Sequence, residues 1–230
     1  MPIYAVMPFR DEPGLTLKVL DLLACEEVDS VLLYDNDSTE ETMSIIRKRT
    51  SEMDNARVLS APTMSIYEMW NHGWSTALDK ESGEFDIAFL NNDIDFCRGT
   101  LAALSTTLRA IGDAWITYPN YDRHTSMGVD ESLGVRPTYG TKKDGGMCGH
   151  MFMIRGEIAR EGFPMVDDGF EWWFGDDQLA WDVREQGGSQ YRLLGWPVDH
   201  LNEATASNGS NDWTHSAKER DIKRWGLLHG

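Results

Sequence analysis

The fold is decided by the stretch Phe85-Asp86-Ile87-Ala88-Phe89-Leu90-Asn91-Asn92-Asp93-Ile94-Asp95-Phe96, in which an apolar run leads directly into amides and carboxylates. Five of its first six residues are apolar, which predicts a strand buried on both faces of a sheet. In an open α/β sheet, ligands bind beyond the carboxyl ends of the strands. We therefore expect the polar side chains after Leu90 to face a crevice.

Two carboxylates of this stretch, Asp93 and Asp95, flank a single residue. Hard oxygen ligands of this kind suit Mg²⁺ or Mn²⁺, and either cation can hold the phosphates of a substrate. The same residues are also typical of a strand that ends in an Asx turn without any ligand. The stretch alone leaves both interpretations open.

The composition is that of a soluble globular protein. The chain has 230 residues, of which 41% are hydrophobic and 26% charged, and we expect a single domain with a substantial core. We find no apolar run of the roughly 18 residues that a membrane-spanning helix needs and no secretory signal before Ile3. The three cysteines are widely spaced, as in a protein with reduced thiols, and we expect a cytoplasmic location.

The formal net charge of −17 argues against nucleic acid as a partner, because so acidic a chain repels a phosphate backbone unless it carries a basic stripe. The candidate basic groups are few: Lys142, Lys143, Lys218, Arg220, Lys223 and Arg224. A small phosphorylated ligand held through a metal remains compatible with this charge.

The first half of the chain alternates apolar runs of strand length with segments of helical periodicity. This alternation predicts right-handed βαβ units, a mainly parallel sheet and a nucleotide-binding half over residues 1–119. The predicted strands are Ile3–Met7, Val31–Tyr34, Ala56–Ser60, the apolar run ending at Leu90, and Ala114–Tyr118. The predicted helices begin near Leu15, Thr39, Ile66 and Thr100.

Residues 120–230 form the second half of the same predicted domain, and we expect them to bind the acceptor. Two polar segments, Asn120–Gly146 and Asn202–Asn211, are predicted to be functional loops, the second a flexible lid. The regular elements predicted between and after them are the strand Met147–Ile154, the helix Gly175–Gln186, the strand Tyr191–Leu194 and the helix Ser216–Trp225.

Four motifs occur in a fixed order along the chain: Val6–Pro13, Leu33–Thr39, Leu90–Asp93 and Gly175–Asp177 ahead of a helix. Together they resemble the motifs of the inverting family-two glycosyltransferases of the GT-A fold, over about residues 3–200. The resemblance implies an α/β sheet flanked by helices and an enzyme that uses a nucleotide-diphosphate sugar, with UDP or dTDP favoured. The implied acceptor is a hydroxyl group on a glycan, a protein or a small molecule.

The resemblance also assigns roles to residues. Asp177 is expected to be the general base, with Asp176 beside it, and direct displacement with inversion follows from one base with no opposing nucleophile. A Mn²⁺ or Mg²⁺ ion is expected on Asp93, Asp95 and His200, with His215 as the alternative to His200. The donor is expected to contact Pro8, Phe9, Arg10, Asp35, Asn36, Asp37, Asn71, Asn91 and Asn92.

The chain departs from the family pattern at several positions. Asn91 stands where the family's Asp-x-Asp begins, although Asp93-Ile94-Asp95 fits that motif literally in another register. Asp176 replaces a glutamate, and Arg184 lies one residue beyond the expected arginine. Asn71 and Gly73 match an Asn-x-Gly pattern, for which core packing is an equally good explanation.

Three other functions remain possible from the sequence. A sugar-1-phosphate nucleotidyltransferase would need a basic, glycine-rich loop, and Phe9–Glu12 is not one. A glycosyltransferase of modified DNA bases is opposed by the acidic charge. A non-catalytic sugar-binding protein would not need both Asp93 and Asp177.

Overall fold

The structure is a computed structural model that describes residues 1–121, 128–139, 146–163, 165–201 and 212–229, without the side chains of 212–215. Its strands are β1 (Ile3–Phe9), β2 (Ser30–Asp35), β3 (Ala56–Ser60), β4 (Asp86–Leu90), β5 (Ile94–Phe96), β6 (Ala114–Asn120), β7 (Val135–Thr138), β8 (Met151–Arg155) and β9 (Ser189–His200). Its α-helices are α1 (Pro13–Leu23), α2 (Glu40–Thr50), α3 (Ile66–Lys80), α4 (Thr100–Ala110), α5 (Gly175–Glu185) and α6 (Asp212–His229).

The described strands form one mixed sheet in the order β3-β2-β1-β4-β8-β6-β9-β5, with β7 paired to β9. The strands from β3 to β4 are parallel. The strand β8 runs antiparallel to both β4 and β6, and β9 is parallel to β6 but antiparallel to β5 and β7. The predicted α/β class is confirmed, while the parallel arrangement is confined to β3-β2-β1-β4 and to the β6–β9 pair.

Helices cover both faces of this sheet. Alternate residues of β1 contribute to two separate hydrophobic clusters, with Tyr4 and Val6 in one and Ile3, Ala5 and Met7 in the other. The first cluster contains side chains of α3 and α5, and the second contains side chains of α1, α2 and α4. This burial on both faces explains why β1 and the interiors of β2 and β4 are apolar, with Ser30, Asp35 and Asp86 at the strand ends.

The helices of the nucleotide-binding half begin at the residues that the sequence favours. Thr39 caps α2 by accepting the Thr42 N–H (3.3 Å), and Ser65 forms a reciprocal capping box with Glu68 at the start of α3. The cap of α4 comes from elsewhere, because the Glu26 carboxylate accepts the N–H groups of Gly99 (2.5 Å) and Leu101 (3.1 Å).

Three predicted boundaries differ from the structure. The predicted strand Tyr191–Leu194 is the middle of the longer β9, and α6 extends beyond Ser216–Trp225 at both ends. The predicted strand Met147–Ile154 begins only at Met151. The predicted lid at 202–211 lies outside the described residues. Among the described helices, none is long and apolar enough to cross a bilayer.

Candidate functional site

The carboxyl ends of β1 and β2 lie side by side, since Pro8 pairs with Tyr34 and Phe9 pairs with Asp35. The buried Asp35 carboxylate accepts the Ser38 N–H (2.9 Å). The buried Asn36 side chain donates to the carbonyls of Ala61 and Met64, both at 3.0 Å. The Asn36 amide nitrogen therefore holds the loop that leads into α3.

Arg10 and Asp37, two more of the predicted donor contacts, are exposed at the same edge. The neighbouring Asp11, which the sequence did not single out, connects the two turns. Its carboxylate accepts the Thr39 N–H (2.9 Å), and its own N–H donates to Ser38 Oγ (2.9 Å).

Backbone strain is concentrated at the edges of this region. Asp11 (φ 49°), Glu12 (φ 48°), Asp37 (φ 66°) and Phe174 (φ 70°) have left-handed backbone conformations although none is glycine. Such conformations cost free energy and occur often at ligand sites. Three of these residues follow β1 and β2, and the fourth directly precedes α5.

Asp93 lies at the carboxyl end of β4 and contacts His200. The two side chains meet at 2.9 Å between Asp93 Oδ1 and His200 Nε2, and both are buried for most of their surface. The antiparallel pairing of β5 with β9 sets Ile94 opposite His200, and the Leu201 N–H donates to the Asp93 carbonyl (2.8 Å). This pairing explains how residues 107 apart in sequence come together.

His150 completes this cluster, and the sequence analysis missed it. Its ring stacks on the His200 ring with 3.8 Å between centroids and 23° between planes. Its carbonyl accepts the Asn91 N–H (2.9 Å), because β8 continues antiparallel beside β4. The available signal was a histidine immediately before an apolar strand, which by itself is common in ordinary cores.

The structure does not assemble the predicted trio of Asp93, Asp95 and His200. Side chains alternate along β5, and those of Ile94 and Phe96 are buried on one face of the strand. Asp95 lies on the opposite face, where it forms an ion pair with Lys18 of α1 (2.6 Å). No group of three or more His, Cys, Asp or Glu side chains that could hold a metal ion occurs within the described residues. Asp93 and His200 are the predicted ligands that do lie together.

Asn91 and Asn92, the other residues of the turn after β4, are held by hydrogen bonds to neighbouring parts of the chain. Asn92 is buried, and its side chain donates to Thr16 Oγ1 on α1 (3.0 Å). Asn91 is half-buried and is held through its backbone. His215, the alternative metal ligand, has a side chain outside the described part of the chain.

The predicted base lies in the first turn of α5, where the helix dipole favours negative charge. The Asp176 carboxylate accepts the Gly149 N–H (2.7 Å), and Asp177 is half-buried beside it. Burial raises the pKa of Tyr67 well above its ordinary value, and the negative charges of Asp176 and Asp177 raise it further. Both carboxylates therefore lie near the Tyr67 ring.

Two adjacent residues link the β4 turn to α5. The Gly149 N–H binds Asp176, and the His150 carbonyl binds the Asn91 N–H (2.9 Å). Tyr121 supports this link, because its hydroxyl donates to the carbonyls of Cys148 (2.8 Å) and Met151. Asp93 and Asp176 are consequently held on neighbouring turns rather than on separate surfaces.

Asn71 and Gly73 of α3 take different roles. A Cβ on Gly73 would lie 2.6 Å from Val6, so this glycine lets α3 pack closely on β1. The Asn71 side chain donates to the Val166 carbonyl (2.7 Å), while its Oδ1 is buried with no hydrogen-bond partner among the described residues. Core packing is therefore the better explanation for Gly73, and Asn71 fixes the segment that leads to α5.

No protein-family model and no curated protein matches the sequence. Solved structures do match the fold. GalNAc-T7, in a structure with UDP, GalNAc and Mn²⁺, aligns with a TM-score of 0.69 and 14% identity over 87% of this chain. This chain has the GT-A glycosyltransferase fold. TarS of S. aureus aligns with a TM-score of 0.62 and 14% identity over 86% of this chain. The mannosyltransferase PcManGT of Pyrobaculum calidifontis, in a structure with GDP-Man and Mn²⁺, aligns with a TM-score of 0.60 and 19% identity over 86% of this chain.

This likeness establishes the fold that the sequence predicted. The matched region is only 43%, 60% and 56% of those three chains respectively, so this chain spans about half of their length. Identities this low carry the architecture and not the chemistry, because the same fold hosts different reactions. The activity must be argued from the residues of the site.

Proposed function

We propose that the chain is a metal-dependent, inverting glycosyltransferase that moves a sugar from a nucleotide diphosphate to an acceptor hydroxyl. The observation that carries this proposal is the juxtaposition of the Asp93–His200 pair with the acidic first turn of α5, linked by Gly149 and His150. A transferase of this kind needs both features, one at the leaving diphosphate and one at the acceptor.

The donor binds across the carboxyl ends of β1, β2 and β4. Asp35 and the strained turn residues Asp11 and Asp37 border the space for the nucleoside. The fold neighbours support a nucleotide-sugar donor, since the structures of GalNAc-T7 and of the mannosyltransferase contain UDP and GDP-Man respectively. UDP and dTDP sugars are the first candidates for this chain, with GDP sugars as the alternative.

The chemistry of the Asp93–His200 pair fits a divalent cation. A carboxylate oxygen and an imidazole nitrogen are suitable ligands for Mn²⁺, and Mg²⁺ or Mn²⁺ commonly takes one or two protein ligands together with substrate phosphates. The buried Nδ1 of His200 has no hydrogen-bond partner among the described residues, so this ring is a polar group not fully used by the fold. A bound cation supplies charge neutralisation for the departing diphosphate.

The acceptor hydroxyl loses its proton to Asp177. Asp176 is bound to the Gly149 N–H and thereby fixes the first turn of α5. Proton transfer is assigned to Asp177, the position that the family resemblance gives to the general base. One base acting on an incoming hydroxyl, without a carboxylate nucleophile, gives direct displacement and inversion at the anomeric carbon. The acceptor is a glycan, a protein or a small molecule.

A screen of nucleotide sugars tests the proposal. Purified protein is incubated with UDP, dTDP and GDP sugars, each with Mn²⁺, with Mg²⁺ or with EDTA, and the free nucleotide diphosphate is measured by mass spectrometry. We expect slow donor hydrolysis in the presence of a divalent cation, together with a cation-dependent rise in melting temperature. Absence of both effects for every donor would contradict the proposal.

A further inference from the structure

The segment that leads into α5, residues 167–174, is held by a buried carboxylate of α6. Asp221 is 1% exposed, and its Oδ1 accepts the Glu171 N–H (2.9 Å). Its Oδ2 accepts the N–H groups of Trp172 (2.9 Å) and Trp173 (3.0 Å). One side chain therefore satisfies three consecutive backbone donors that belong to no helix or strand.

Other contacts hold the same helix on the same segment. Arg220 forms a two-point ion pair with Glu171 (2.5 and 2.7 Å), and Arg224 pairs with Asp167 (2.5 Å at the closest). The Trp225 ring stacks on Phe174 with 5.5 Å between centroids. These contacts bind α6 to both ends of the segment, and Asp221 binds the backbone of residues 171–173 between them.

A short covalent path connects this backbone to the proposed catalytic turn. Phe174, in its left-handed conformation, follows the three donors directly, and α5 begins at Gly175. Gly175 is pressed against Tyr67, since a Cβ on it would lie 2.4 Å from that ring. The next residue, Asp176, accepts the Gly149 N–H. The position of residues 171–173 therefore sets where the first turn of α5 meets Gly149.

We propose that Asp221 is a positioning residue, which fixes the first turn of α5 and so places Asp177 for proton transfer. The proposal rests on the function proposed above, because it assigns the base to this turn. It adds that α6 is part of the catalytic scaffold and that its role is carried by a carboxylate bound to the backbone of residues 171–173.

The test compares Asp221→Asn with Arg224→Gln in the full chain. The asparagine has the same shape as Asp221, but its NH₂ group can accept no hydrogen bond and faces a backbone donor. Arg224→Gln loosens α6 at Asp167 without touching the backbone of residues 171–173, so it controls for weakened docking.

Amide hydrogen exchange gives a readout that needs no substrate. In Asp221→Asn we expect the amides of 171–173, and also the remote Gly149 amide, to exchange at least about tenfold faster than in Arg224→Gln. Faster exchange confined to residues 171–173 would show a local role only and would overturn the proposal. Equal changes in both variants would overturn it as well.

Turnover gives the second readout, with the donor found in the nucleotide-sugar screen. We expect kcat of Asp221→Asn to fall at least about tenfold, with KM and the Kd for UDP within about twofold, while Arg224→Gln retains its kcat. Unchanged kcat in Asp221→Asn would contradict the positioning role. If the wild type neither turns over nor binds any donor, the proposed function fails, and the Gly149 amide still decides the role of Asp221.

Discussion

At the scale of single residues, the proposed cation site depends on the contact between Asp93 and His200. Replacing His200 with alanine removes one of two neighbouring ligand groups while Asp93 stays in place. We expect the Mn²⁺-dependent affinity for UDP to fall about 10- to 100-fold, the range seen when groups around a metal are removed. Calorimetric titration of UDP at fixed Mn²⁺ concentrations measures this affinity.

His229→Ala is the matched control for that experiment, because His229 lies on α6 and binds Gln178 (2.8 Å) rather than Asp93. Its UDP affinity should equal that of the wild type. A His200→Ala protein with the same Mn²⁺ dependence as the wild type would contradict the assignment of His200.

The sequence identifies residues better than it identifies their contacts. Asp93 and His200 were predicted to share one site, and the structure places their side chains 2.9 Å apart. Asp95 was placed in the same predicted ligand set, which the structure does not assemble, because strand alternation turns Asp95 towards Lys18. His150 and Asp221 were missed since their importance arises from contacts across the sheet and across α6, which no local pattern encodes.

At the scale of elements, the close packing of α3 on β1 depends on Gly73. A methyl group there would lie 2.6 Å from Val6 and force the two elements apart. We expect Gly73→Ala to lower the free energy of unfolding by about 1–3 kcal/mol, as overpacking does. Urea unfolding measures this difference.

Gly14→Ala is the control for Gly73→Ala, because Gly14 lies in the first turn of α1 and a Cβ there would meet nothing within 4 Å. This change should leave stability unchanged or raise it by up to about 1 kcal/mol. Equal destabilisation by the two changes would refute the packing explanation.

A second element-scale feature is a buried ion cluster that joins β4, α4 and the short 3-10 helix Gly156–Glu161. Arg109 of α4 contacts the fully buried Asp86 (2.5 Å) and also Glu157. Burial raises the pKa of Asp86. Burial also disfavours the charged form of Glu157, but the hydrogen bonds from Arg109 and the backbone, together with the Arg109 charge, outweigh burial, so the pKa of Glu157 is lowered.

Removing the cation should therefore be costly. We expect Arg109→Met to lose about 3–5 kcal/mol of stability near neutral pH, because it leaves the Asp86 charge buried without this cation, although the hydrogen bond from Ser105 (2.5 Å) remains. Arg47→Met is the control, since the Arg47–Glu40 pair is solvent-exposed and should contribute about 0–1 kcal/mol. Chemical unfolding of both variants and the wild type gives the comparison.

The loss in Arg109→Met should shrink as the pH falls. Asp86, whose pKa is raised in the folded state, binds a proton more readily in the folded protein than in the unfolded chain. Protonation therefore removes the buried charge of Asp86 in the variant as the pH falls. Glu157, whose pKa is lowered in the folded state, stabilises the wild type at pH values above its unfolded-state pKa. This contribution is lost as the pH falls through the folded-state pKa of Glu157. A stability difference that stays constant or grows on acidification would contradict this account.

Local patterns predicted most of the regular elements of the nucleotide-binding half. The helices α2 and α3 begin close to their predicted starts, because Thr39 and Ser65 cap them from within their own segments. The strands β5 and β7 were missed, because β5 has three residues after a polar turn and β7 is mostly exposed. Both exist through their pairing with the long β9, which is a tertiary effect.

At the scale of the whole molecule, the buried ion cluster and the proposed site lie at opposite ends of β4. The Asp86–Arg109–Glu157 cluster is at the amino end of β4, and the Asp93 turn follows its carboxyl end. This separation explains why Arg109→Met should change stability without changing the affinity for UDP. The site itself draws on the parallel strands, on residues 148–150 and on α5, so it needs both halves of the chain.

The central claim is that Asp93 and Asp177 serve one transfer reaction with different tasks, Asp93 at the diphosphate of the donor and Asp177 at the acceptor hydroxyl. The most direct test measures sugar transfer or donor hydrolysis beside Mn²⁺-dependent UDP binding in Asp177→Asn and Asp93→Asn. We predict that Asp177→Asn loses at least about a hundredfold in transfer rate and binds UDP like the wild type, whereas Asp93→Asn loses the Mn²⁺-dependent binding itself. Retained turnover in Asp177→Asn, or wild-type Mn²⁺-dependent binding in Asp93→Asn, would contradict the account.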